Sequence, residues 1–452
     1  MVKPREGYLN ISNLEEAWNA VFTSETPAGA PVLLDLSENT YLDQEVLLYL
    51  VAILTDRAPF HLETLIELPL RGREPVEQAP PADDSDLEPE ISPPDHATPA
   101  SDEPEAEEAP RDRIVEFLHS WQLPRAVELA TKRDFTDFLT ETSRARLAAV
   151  TPQDSQYTKV METRYNGRQS MLPETYFALT PIKLGAGPAA AAAIVTKDWL
   201  DAHIVSVLDR YLNGLGSRVG SYILHETIVN AARHPGATVA FTSAQVMYKR
   251  YEHEDAIPRE LVLAVWDDGN SFADTLASGL GGAGVRSPAY GAEEDEFTVQ
   301  FADRDDEHES RPIHLVSGQE TLPTGDPDLI VAAFMLGITA IPDDRNRDEE
   351  AIAMLKALSE DLLPPGLELF GGLGLHLVRR NVIDLFGGSI QYISGGYRLS
   401  LLGEGQTGKY RGFLTKRELL GPQARGNLLV VRLPLGDRPK DLAPPTERKS
   451  DG

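Results

Sequence analysis

Three short segments of this chain carry residue types at spacings that can do chemistry. In the first, His225-Glu226-Thr227-Ile228-Val229-Asn230, a carboxylate and an amide stand four residues apart. On a helix that spacing places both on one face, where a carboxylate can deprotonate an attacking water and an amide oxygen can ligate Mg²⁺. The second, Asp267-Asp268-Gly269-Asn270-Ser271, follows the apolar run 261–266. A carboxylate at the end of a buried strand can accept a hydrogen bond from an exocyclic amine such as that of adenine. A glycine two residues on lets the backbone turn closely beneath a planar base. The third is Gly371-Gly372-Leu373-Gly374-Leu375-His376-Leu377. Glycines directly before a helix expose successive N–H groups, and these can cradle phosphate together with the partial positive charge of the helix start. Taken singly, the three also read as ordinary structure: a polar helix stripe, a capped strand end and a tight turn.

Positioning these residues requires particular elements. Ile223, Ile228, Val229 and Ala232 recur at helical spacing around Glu226 and Asn230, so residues 221–234 read as a helix, preceded by another helical pattern over 199–212. Residues 237–249 and 259–270 read as strands, the second ending in a turn. After about a hundred residues of mixed composition, including the acidic piece 293–309, order returns. There 369–387 reads as loop then helix, 388–403 as a hairpin and 426–436 as a final strand. A second phosphate-like motif, Gly403 to Tyr410 with Gly408-Lys409, nearly satisfies the P-loop pattern. Tyr410 cannot replace the small hydroxyl that reaches Mg²⁺, and no good helix start follows, so this piece reads as an exposed loop between two strands.

Composition bounds the reading. The chain has 452 residues, a net charge of −29 and no cysteine. Two or three domains fit that length; disulfides, thiolate zinc sites and a cysteine nucleophile are excluded. The charge opposes binding to nucleic acid and to anionic membranes. The N-terminus lacks the apolar stretch of a signal peptide, and the longest small apolar run, 185–195, is too short to span a bilayer. A cytoplasmic protein is expected.

In order and setting the three segments resemble the GHKL superfamily of ATPases, which includes gyrase B, MutL, heat-shock chaperones, sensor histidine kinases and, nearest in character, anti-sigma-factor kinases. The likeness spans residues 196–436. It implies an α+β fold, a GHKL (Bergerat) α/β sandwich with a mixed sheet, with a long lid insertion over 272–366 and ATP and Mg²⁺ as cofactors. By resemblance Glu226 is the general base and Asn230 the Mg²⁺ ligand. Arg233 and His234 add phosphate contacts, Asp267 meets the adenine amine and Gly269 lines the base pocket. Gly371, Gly372 and Gly374, with Leu375 beside them, form the phosphate side of the lid. The family's D-x-G-x-G departs at its last glycine, which is Ser271 here. The family often dimerises and acts on protein partners. A histidine kinase would need a phosphoacceptor helix, and neither His119 nor His203 sits in such a motif.

Upstream, residues 31–54 read as strand, turn and helix, with Val32 to Leu36 apolar and Asp43 placed to cap the helix. This piece is similar to the core of STAS domains, although Gln44 and Glu45 follow Asp43 where those domains often carry a phosphorylated serine. The expected organisation is a smaller STAS-like α/β domain over 1–145, a connecting segment over 146–195, the ATP-binding domain and a disordered tail over 437–452. From Glu74 to Pro110 the chain is rich in Pro and acids, without Lys or Arg. Such a stretch cannot offset an ordering entropy of about 1–2 kcal/mol per residue, so a disordered acidic insertion over 73–110 is expected. Two short helices hinged at Pro124 follow it.

Overall fold

The computed structural model describes residues 1–4, 7–9, 11–21, 30–42, 44–57, 64–69, 113–149, 176–184, 208, 212, 214–233, 236–249, 257–271, 275, 295–303, 310–316, 325–335, 374–405, 408–416 and 426–435. The acidic insertion, the tail, Asp43, most of 199–212, and the site candidates His234, Gly371 and Gly372 lie outside them.

Among the described residues the fold is α+β around a mixed nine-stranded sheet. Its strands are β5 (Tyr176–Lys183), β6 (Val239–Lys249), β7 (Ile257–Asp267), β8 (Glu296–Asp303), β9 (Ser310–Val316), β10 (Ser389–Ser394), β11 (Tyr397–Gly403), β12 (Lys409–Lys416) and β13 (Asn427–Pro434). They are ordered β5-β6-β7-β13-β10-β11-β12-β8-β9, antiparallel except where β12 meets β8. The expected strands and hairpin form, and Gly403 to Tyr410 bridges β11 and β12 with no helix after it.

Two expectations about boundaries are corrected. The stretch expected to connect two domains contributes β5, an edge strand in which Pro181, lacking an N–H, is tolerated. The stretch expected to serve as a lid contributes β8, β9 and the helix Asp326–Ala332, all built into the sheet or packed on it. Phe297, Val299 and Phe301 alternate with polar residues along β8 and bury one face of it, which is why an acidic sequence still forms a strand.

Alternation along the central strands feeds two cores. From β7, Leu261, Leu263 and Val265 face one side and Val262, Ala264 and Trp266 the other; from β13, Leu429 and Val431 face the first and Leu428 and Val430 the second. On the first side lies the helix Gly214–Arg233. With it lies the helix Gly374–Arg379, which runs on as a π-helical turn, Arg380–Leu385. The second side is covered by the amino-terminal region.

That region has the helices α1 (Ile11–Val21), α2 (Gln44–Arg57), α3 (Arg113–Ser120), α4 (Leu123–Thr131) and α5 (Glu141–Ala149). Its strands β1 (Gly7–Leu9), β2 (Val32–Asp35), β3 (Asn39–Leu42) and β4 (Thr64–Glu67) pair in parallel, β1 with β3 and β2 with β4. Pro124 opens α4, as its fixed backbone angle suits a first turn. Every residue of α2 from Gln44 to Leu54 is buried, because the helix lies between the sheet and the rest of this region. Gln44 donates its amide N–H to the Val262 carbonyl at 3.0 Å, and Arg432 pairs with Glu45 and Glu260. The two regions therefore share one hydrophobic core rather than standing as separate bodies. No described helix is long and apolar enough to cross a membrane.

Candidate functional site

The helix Gly214–Arg233, here α6, crosses the first face of the sheet, and the helix Asp326–Ala332, α7, lies on the same face. The helix Gly374–Arg379, α8, packs beside α6. Where α6, the end of β7 and the start of α8 converge, a small recess, partly open to solvent, is lined by Thr227, Asn230, Val265, Asp267, Leu375, Tyr392, Asn427 and Leu429. Thus Asn230, Asp267 and Leu375, expected from three separate segments, meet at one place.

Two consecutive aspartates end β7 and do different work. Asp268 is bound into the fold: its Oδ1 accepts from the backbone N–H groups of Thr238 (2.6 Å) and Val239 (2.9 Å), and its Oδ2 from the Thr238 hydroxyl. Asp267 lines the recess, and its Oδ1 accepts from the Gly269 N–H at 2.9 Å and the Asn427 amide at 3.0 Å. Asn427 also donates to the Asn270 carbonyl at 3.0 Å, while its Oδ1 accepts from Ser394 and Tyr392. Burial, with Asp267 nearby, pushes the Tyr392 phenol well above its ordinary value, opposed by a bond to Ser394. Its hydroxyl therefore stays protonated and can donate.

Glycine is needed at two places behind the aspartates. Gly426 has φ +93°, and a Cβ there would lie 1.7 Å from the Asp267 carbonyl oxygen. Gly395 has φ +55°, and a Cβ there would lie 2.6 Å from the Cβ of Ser271. Ser271 itself keeps an ordinary backbone, and its side chain is accommodated by the glycine opposite it.

The remaining expected residues fall as follows. Glu226 is 3% exposed, one turn before Asn230, and does not line the recess. Gly269 is buried and uses its N–H to close the turn on Asp267 rather than to line the recess. Arg233 ends α6, and Gly374 begins α8. Beside Glu226, His225 is 1% exposed, and neither ring nitrogen has a hydrogen-bond partner among the described residues. Its Nδ1 lies 3.9 Å from Glu226 Oε1. Thr227, Tyr392 and Asn427 were missed from sequence. A polar residue opening the apolar run 428–431 of β13 was the available signal for Asn427.

Past Leu375, α8 is held by a buried charged cluster. Arg379 donates to Asp295 at 2.7 Å, contacts His376 Nδ1 at 2.8 Å, and lies over the rings of Tyr410 and Phe297. Tyr410 donates to Asp384. Burial holds the His376 imidazole below its ordinary value against the pull of Asp295. Burial would raise Asp295, but bonds and charge from His376 and Arg379 outweigh it and hold the carboxyl low. This cluster ties α8 to the residue that precedes β8. Among the described residues no group of His, Asp and Glu is placed to hold a metal ion by itself; an Mg²⁺ on Asn230 would need phosphate oxygens and water to complete its shell.

Comparison of the chain with protein-family models, with curated proteins and with solved structures finds no match.

Proposed function

We propose that this chain is a cytoplasmic Mg·ATP-binding regulatory protein of GHKL type, with an amino-terminal STAS-like part packed on the rear of its sheet. The base enters the recess and meets Asp267. The phosphates run along α6 past Asn230, which holds Mg²⁺, toward the N–H groups opening α8. Glu226 accepts the proton of the attacking oxygen, from water in an ATPase or from a protein hydroxyl in an anti-sigma-like kinase. The observation that carries this reading is the convergence of Asn230, Asp267 and Leu375, from three distant segments, on one recess.

One observation favours a second reading, a regulatory scaffold that binds nucleotide without turnover: Glu226 is buried and outside the recess lining. Titration with a fluorescent ATP analogue, with and without Mg²⁺, tests binding, and phosphate release with phosphate tracing onto protein tests turnover. Under the first reading Asp267→Asn abolishes binding, and Glu226→Ala keeps binding but loses turnover. Binding in the wild type without turnover selects the scaffold. No magnesium-dependent affinity refutes the ATP reading and selects a scaffold that binds no nucleotide.

A further inference from the structure

The rear core reaches across the sheet as far as Ile393 of β10. Beside it a cleft of about 310 Å³ opens between the amino-terminal region and the strands β10, β11 and β13, within the size range of small-molecule sites. Ile11 and Ser12 of α1 and Glu45 of α2 line it from one side. From the sheet come Ser389 and Gln391 of β10 and Ser400 and Leu402 of β11, which share one face by alternation and stand opposite each other as Ser389–Leu402 and Gln391–Ser400. Further along that face Ile393, Leu428 and Val430 belong to the rear core. The face therefore turns polar where the cleft begins.

The charged groups here are engaged with one another. Arg432 pairs with Glu45 and Glu260. Arg398 donates to the Ser12 hydroxyl at 2.6 Å and lies 3.7 Å from Glu15. With the Gln391 amide oriented by its hydrogen bonds, its oxygen accepts from Arg398 Nε at 2.7 Å. Two guanidiniums thus meet three carboxylates, and an ionic ligand of either sign would have to displace a seated partner. What the cleft offers an occupant is uncharged: the Ser389 and Ser400 hydroxyls, each able to donate and accept, and the N–H groups on the other edge of the Gln391 amide. Ile11 and Leu402 add apolar surface for C–H groups. We propose that this cleft binds a small, neutral, hydroxyl-rich molecule, a sugar or polyol, held by Ser389, Gln391 and Ser400. Its walls come from both regions, so the occupant fastens the amino-terminal cover to the sheet. The cleft lies on the opposite face of the sheet from the recess that carries the nucleotide reading, and it stands or falls independently of that reading.

Isothermal calorimetry on the full chain tests the assignment, with glucose, maltose, sorbitol and myo-inositol as neutral probes and glucuronate and glucosamine as charged ones. At least one neutral probe should bind with a Kd at or below about 10 mM, and the charged probes more weakly. Heats are read rather than melting temperatures, because sugars also stabilise proteins in general as excluded osmolytes. Ser400→Ala should weaken binding by about threefold to tenfold. Gln391→Glu keeps an acceptor for Arg398 but loses the N–H groups, and it should weaken binding by about as much. Ser400→Leu fills the cleft and should abolish binding, whereas Gln300→Ala, on the same face two strands away in β8, should leave it unchanged. Urea midpoints report folding; if Ser400→Leu does not fold, Ser400→Ala and Gln391→Glu decide. No heat with any neutral probe overturns the proposal, as does tighter binding of a charged probe. So does affinity that survives Ser400→Leu, or that stays at the wild-type value in both Ser400→Ala and Gln391→Glu.

Discussion

Asn427 and Asp267 face each other across the β13–β7 ladder, and the Asn427 amide donates to Asp267 Oδ1 at 3.0 Å while also holding the Asn270 carbonyl. One side chain thus orients the recess carboxylate and the turn behind it.

Asn427→Ala should therefore lower stability by about 1–3 kcal/mol, because it leaves buried polar groups short of a partner. Under the proposed reading it also weakens nucleotide binding by about tenfold, since the Asp267 carboxylate loses its fixed orientation. Denaturant unfolding and the fluorescent titration check the two effects separately. Unchanged stability would show that Asn427 does not hold the turn.

Gly395 and Ser271 should behave as a coupled pair. Gly395→Ala places a methyl group against the Ser271 side chain and should destabilise by about 2–4 kcal/mol, clash and left-handed backbone combined. Adding Ser271→Gly should remove the clash and leave the backbone part, about 1–2 kcal/mol. Strict additivity in the double-mutant cycle would contradict the packing described here.

Acidification should weaken the fold through the cluster beneath α8. The folded-state value of His376 lies below 6.5, so its contribution is complete above that value and is lost as pH falls through the folded one. Asp295, also depressed, follows the same sign in the range below its ordinary 3.8. Asp384 has the opposite sign: burial raises it, outweighing the Tyr410 bond, so its contribution fades as pH rises through the folded value. Urea midpoints measured from about pH 7 down to about pH 5 should fall in the wild type, and the slope should flatten in His376→Gln. Parallel slopes in the two proteins would remove His376 from the account.

The shared second core predicts that the amino-terminal region is not dispensable. A fragment starting at residue 176 would expose Phe241, Val262, Trp266, Leu428 and Val430 to water, and it should aggregate rather than fold. In the full chain Trp266→Ala should cost about 3–5 kcal/mol and shift a single unfolding transition that involves both regions. Two transitions, only one of them shifted, would mean that the regions fold independently.

Much of the recess was legible because its residues sit on strong local patterns. Asn230 follows Glu226 at helical spacing, and Asp267 closes the uninterrupted apolar run 261–266. What was not legible depended on partners far away in the chain. Asn427 and Tyr392 reach the recess only because β13 pairs with β7 and β10 with β13, a register no local window contains. The different roles of Asp267 and Asp268 follow from Thr238 lying beside the second, which again is a matter of strand pairing. Likewise, β5 carries a proline and β8 a surplus of acids, so both were weak as sequence signals, and edge position and one-sided burial respectively make them strands. The burial of α2 was hidden for a related reason: its apolar residues on every side say that it is enclosed, not what encloses it.

The two-faced alternation of β7 also acts as a gauge on the carboxylate at its end. Leucines and a valine fit against α6, while a valine, an alanine and a tryptophan fit against the rear cover, and a slide by one residue would present each set to the wrong mould. Asp267 would then turn away from the recess together with every other side chain of the strand. Mutations that merely resize the rear layer, far from any reacting atom, are thus read out as misalignment at the tip of the strand.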